Sequence, residues 1–215
     1  NAVTFLSSAA DPDLARASHV GRDVEATLWR VVGVPDGRYV VVSGARGSGK
    51  TQAVLSAADG ACGVLRISVA NDKTQLSPEF MKRMWRPGSP ATATVDGVKL
   101  ILRRAAWLLR WAPWCAQTVP TLIVEVESGT RGDVVYNLFH EIKLLSADSK
   151  VCRVITVLSD ATAVYSLPAD GARQLEVFVD DLTDAEAHAM LAKRGVANET
   201  RRAALMEAVG TRASE

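Results

Sequence analysis

The chain has 215 residues, with 25 Lys and Arg against 24 Asp and Glu, for a net charge of +1. That length fits one large domain with at most a small appendage and excludes two large ones. The charge balance excludes a global field favouring nucleic acid or an anionic membrane, so any such binding has to come from a local patch.

The chain opens on Asn1, not Met, and is expected to be part of a longer polypeptide. Residues 19–25, HVGRDVE, precede the first strongly apolar run, 39–43 (YVVVS). That run and three more, 64–69, 121–126 (TLIVEV) and 154–158 (VITVL), are continuous stretches rich in Val, Ile and Leu. Such runs suit strands buried on both faces of a parallel sheet. A fifth strand is expected at 175–179 (LEVFV).

The first strand runs into Gly44-Ala45-Arg46-Gly47-Ser48-Gly49-Lys50-Thr51, which fits GxxxxGK followed by Ser or Thr, and a helix is expected over 51–58. Each part has a physical reason. The glycines admit backbone angles closed to other residues, so that successive N–H groups point at an anion. A helix start adds about half a positive charge. Lys50 is then expected to bridge the terminal phosphates of ATP or ADP, and the Thr51 hydroxyl to bind Mg2+, with Gln52 beside it.

Cys62, Cys115 and Cys152 are odd in number and widely spaced. They fit neither a disulfide framework nor a zinc site, and point to a reducing intracellular compartment, be it cytoplasm, nucleus or mitochondrial matrix. Residues 100–111 are amphipathic, with Lys99, Arg103 and Arg110 on one stripe. Trp107 and Trp111 share one helix face, and Trp114 and Trp85 add aromatic surface. The pair is expected to pack against the sheet, with anchoring of a partner protein as the alternative. The apolar stretch at 100–114 is interrupted by arginines and too short to span a bilayer. No nucleic-acid motif accompanies the basic stripe.

In the third strand Glu125 and Glu127 stand two apart and therefore on one side. Glu125 is expected to face the metal and Glu127 to serve as base; Val126 between them departs from an adjacent acidic pair and puts turnover in question. Val134, Val135, Leu138, Phe139, Ile142 and Leu145 predict a helix capped by Asp133. Ser159 and Asp160 follow the fourth strand, where a polar residue senses a phosphate or simply caps the next helix. Arg173 precedes the fifth strand and is either a phosphate-reaching arginine or a surface residue. Thr183 and Glu186 form a capping box opening a helix to about Arg194, and Asn198 caps another. The alternation implies an α/β three-layer sandwich with a mainly parallel five-stranded sheet over 1–180 and a helical lid or subdomain over 181–215. His19, His140 and His188 show no metal spacing.

Three segments resemble AAA-related ATPases of the archaeal-type and signal-transduction (STAND) group. These are the GRxxE-like HVGRDVE, the phosphate loop with its internal arginine, and Leu182-Thr-Asp-Ala-Glu186-Ala, similar to the opening of that group's helical region. The resemblance implies strand order 5-1-4-3-2, Val20 and Arg22 near the adenine, and an ATPase that couples nucleotide state to conformational change or assembly. A nucleotide-stabilised scaffolding subunit without turnover is the alternative. A GTPase or nucleotide kinase fits less well, since Asn71-Asp72-Lys73 has the wrong order for reading guanine.

Overall fold

The computed structural model describes residues 19–32, 36–69, 76–84, 94–159 and 172–211. The strands are β1 (Tyr39–Ser43), β2 (Val64–Val69), β3 (Thr121–Val126), β4 (Arg153–Leu158) and β5 (Gln174–Phe178). Each begins or ends within one residue of its apolar run. They form one all-parallel sheet in the order β2-β3-β4-β1-β5, which is the expected order read from the other edge. The fold is α/β.

Seven α-helices are described: α1 (Asp23–Val31), α2 (Lys50–Ala57), α3 (Leu76–Met84), α4 (Val95–Trp111), α5 (Gly132–Lys143), α6 (Asp184–Lys193) and α7 (Glu199–Val209). The sequence period anticipated neither α1 nor α3. Among the described residues no helix is long and apolar enough to cross a membrane.

Strand alternation divides the core in two. Tyr39, Val41, Ile67, Leu122, Val124 and Val154 join the buried residues of α3, α4 and α5. Their neighbours Val40, Val42, Ile123, Ile155 and Val177 join Leu28 of α1 and Ala53, Val54 and Ala57 of α2. The helix after β1 thus packs with one set of strand residues and the helix after β3 with the other. Where adjacent connections diverge in this way, a crevice opens at the carboxyl ends of the strands.

Several local expectations need correction. Asp133 does not cap α5; it lies inside the first turn, and Arg131 is the flanking residue. The helix continues as a π turn over Leu144–Asp148. Trp107 and Trp111 do not pack against the sheet. Helix α4 buries Val98, Leu102, Ala105 and Leu109, whereas Trp107 is 61% and Trp111 72% exposed. Its buried stripe is built from small and aliphatic residues, so the tryptophans fall on the opposite side.

Cys62 and Cys115 also depart from the reading, because they are joined in a disulfide with Cα atoms 5.7 Å apart. Cys62 stands just before β2 and Cys115 in the approach to β3, and parallel pairing of these strands brings both to the same edge. This pairing corrects the expectation that the three cysteines fit no disulfide. Cys152 is free and buried, and burial pushes its thiol pKa up.

Candidate functional site

The turn between β1 and α2 follows the backbone demands of its glycines. Gly44, Gly47 and Gly49 have φ of 148°, 85° and 84°, and Gly49 is the residue that caps α2. No side chain caps this helix start. Its first-turn N–H groups are therefore left for an outside acceptor, the arrangement that favours an anion. A Cβ on Gly44 would lie 2.1 Å from the carbonyl oxygen of Val179, so the close passage of the loop over the end of β5 requires glycine here. Ser48 is fully buried, and its Oγ has no hydrogen-bond partner.

Lys50 folds back under the turn. Its Nζ donates to the carbonyl oxygens of Gly44 at 3.1 Å and Ala45 at 2.7 Å. Burial lowers its pKa, against the opposing pull of the Asp181 carboxylate.

A pocket of about 680 Å³ opens beside the turn, within the range of small-molecule sites. The expected residues that line it are Val20, Arg22, Arg46, Gly47, Gly49, Lys50, Thr51, Gln52, Glu127 and Ser159. Gly44, Ala45 and Ser48 belong to the turn but do not line the pocket. Their carbonyls accept hydrogen bonds from two lining residues, Lys50 at Gly44 and Ala45 and Arg22 at Ser48. Asp160 lies outside the described residues.

Two expected residues are not brought to the pocket. Glu125 does not line it; its carboxylate accepts from Arg66 at 2.7 Å, and its second oxygen is buried without a partner. Side-chain alternation did place both glutamates on one side of β3, but Glu127 lies past the strand end, at the carboxyl edge where the crevice is. Glu127 accepts a hydrogen bond from Ser68 Oγ at 2.8 Å. Arg173 precedes β5, and the parallel sheet puts it at the amino edge, about 16 Å of strand away from the turn. There its backbone carbonyl accepts from Tyr39 N at 3.0 Å, and its guanidinium pairs with Asp148 at 2.5 Å.

Arg22 is the structural hub. Its Nη1 donates to the Ser48 carbonyl at 2.7 Å, and its Nη2 donates to the carbonyls of Asp180 and Asp181 at 2.7 and 3.2 Å. Its Nε lies 3.6 Å from Glu186 of the capping box, whose carboxylate accepts from Thr183 N at 2.7 Å. One guanidinium thus ties the segment before α1, the turn before α2 and the start of α6.

Sequence reasoning missed His19, Leu182, Met190 and Arg194, all of which line the pocket. His19 shares Glu25 and Ser56 as hydrogen-bond partners at 3.0 and 2.9 Å. Its position two residues before Gly21-Arg22 was the available signal. Leu182 opened the segment that resembles the helical region but was given no role there, and Met190, inside α6, carried no signal of its own. No protein-family model matches the chain, and no curated protein aligns significantly with it.

Proposed function

We propose that this chain is a P-loop nucleotide-binding domain that holds ATP as its magnesium complex, within the three-layer architecture of that fold class. The observation that carries the reading is the meeting, around one pocket, of an uncapped helix start, a glycine turn with positive φ and Lys50, Thr51, Glu127 and Ser159. Backbone N–H groups would take the phosphates. Lys50, now spent on two carbonyls of its own turn, would exchange them for phosphate oxygens, and the anion would restore its depressed pKa.

The donor set suits magnesium. Among the described residues no three His, Cys, Asp or Glu are grouped as a protein cage. Magnesium needs none, because it takes one or two protein oxygens and completes its shell with phosphates and water. Thr51 Oγ1 and the Glu127 carboxylate would be those oxygens, with Glu127 in the role first expected of Glu125. Bound there, the ion would neutralise charge on the transferring phosphate. The apolar side chains of Val20, Leu182 and Met190 offer a surface for a base, and the resemblance to AAA-related ATPases favours adenine. Helices α6 and α7 would move as a lid with nucleotide state.

Glu127 is the one carboxylate among the described lining residues, and this favours a second reading, a scaffold held together by nucleotide with little turnover. Titrating ATP with magnesium into wild type and Lys50→Ala tests the primary claim. Affinity should be lost in the variant, and equal affinity in both would overturn the assignment. Phosphate release by wild type then separates the ATPase from the scaffold.

A further inference from the structure

Helix α4 has a second apolar face that stays exposed among the described residues. At about 100° per residue, Leu100, Trp107 and Trp111 fall within about 40° of one another, directly opposite the buried stripe of Val98, Leu102, Ala105 and Leu109. All three are exposed, at 57%, 61% and 72%, and Trp114 in the following turn is 78% exposed. The Trp107 and Trp111 rings touch each other, with centroids 6.3 Å apart. Scattered exposed apolar residues need no explanation, but three aligned on one helix face, two of them in contact, do.

Its flanks decide what it fits. Arg104 borders the stripe on one side, and Arg103 and Arg110 border it on the other; all three are exposed. None of them has an ion-pair partner among the described residues. Asp96, the one acid in the helix, is paired with Lys99 at 3.6 Å. The helix therefore presents tryptophan and leucine along its crest, with unpaired guanidinium groups along both slopes. The turn that carries Trp114 is tied to the residue before β2 by the Cys62–Cys115 disulfide.

We propose that this face docks on an anionic lipid surface. Tryptophan suits the headgroup boundary, where its ring is buried and its N–H stays wet. Arginines on both slopes meet negative headgroups at whatever azimuth the helix rests. A protein partner would have to supply three separately placed carboxylates, whereas a leaflet provides negative charge everywhere along the helix. The attachment is peripheral, with α4 lying in the plane of the surface. It supplies the local patch that the overall charge balance lacks.

The test is sedimentation of the full chain with vesicles of phosphatidylcholine alone or containing about one-third phosphatidylserine. The chain should pellet with the anionic vesicles only, with a blue shift of tryptophan emission, and salt should release it. Arg103→Gln/Arg104→Gln/Arg110→Gln should weaken binding about a hundredfold. Trp107→Ala/Trp111→Ala should weaken it by at least about tenfold. Both sets are exposed, and unchanged melting temperatures show that the variants fold. Failure to pellet with anionic vesicles, equal binding to neutral ones, or binding indifferent to both variants overturns the proposal. So does a solution dimer that Trp107→Ala/Trp111→Ala makes monomeric, because the face would then be covered by a second copy of the chain.

Discussion

Arg22 Nη1 donates to the backbone carbonyl of Ser48 at 2.7 Å, spanning 26 residues of sequence to hold the glycine turn from outside. The same guanidinium holds the carbonyls of Asp180 and Asp181, 158 and 159 residues away. Fork geometry makes this possible, since Arg presents several donors in one plane. Arg22→Ala should cost about 2 kcal/mol, the scale of charged hydrogen bonds lost at a partly buried site. Arg22→Lys should recover little of it, because one ammonium cannot span both carbonyl directions. Thermal melts and ATP titration of the three proteins check this. A lysine variant with wild-type behaviour would show that charge alone is what matters.

Glu127 and Glu125 should separate in function. Glu127→Gln is expected to reduce magnesium-dependent nucleotide affinity and any phosphate release, since Glu127 lines the pocket. Glu125→Gln should leave nucleotide affinity close to wild type and lower stability instead, through the lost pair with Arg66. That pair is worth little where Arg66 is exposed, so the loss should be at most about 1 kcal/mol. The reverse pattern in a magnesium titration would return Glu125 to the metal.

Gly44→Ala should disrupt the turn, because the added Cβ would sit 2.1 Å from Val179 O at a backbone φ of 148°. Strain of this kind costs about 1–3 kcal/mol and should displace the backbone of the turn. Gly60→Ala, at a φ of 73° but with nothing within 4 Å, is the matched control for backbone strain without collision. If the two variants bind ATP equally, the contact with Val179 is not what shapes the turn.

Asp36 links stability to acid pH. Burial raises its pKa, but the hydrogen bond and charge of Arg153, with the Arg38 N–H and guanidinium, outweigh that and hold the carboxyl below its ordinary value. A depressed carboxylate contributes stability above its unfolded pKa and loses it as pH falls through the folded one. Wild type should therefore melt above Asp36→Asn at neutral pH, with the gap closing in acid. A gap independent of pH would remove the ion pair as its cause. Arg153 is only 1% exposed and also donates to the carbonyl of Val31 at 2.9 Å.

The strands were legible because a sheet buried on both faces demands unbroken β-branched runs, and β1 and β3 match theirs to the residue. The capping box at Thr183 and Glu186 was legible because it is a local hydrogen-bond device. Helices α1 and α3 were not. Helix α1 is only nine residues long and Arg22 before it supplies no side-chain cap, so the local start signal that marks α6 and α7 is missing from it.

Local chemistry therefore determined by itself the strands of the parallel sheet and the glycine turn that leads from β1 into α2. Which of two glutamates reaches the pocket, which edge of the sheet receives Arg173, the pairing of Cys62 with Cys115 and the outward face of Trp107 and Trp111 were decided only by the tertiary structure. Each depends on where a strand ends or on which side a helix rests. Those are set by contacts between segments far apart in the chain, as when Arg22 meets Ser48.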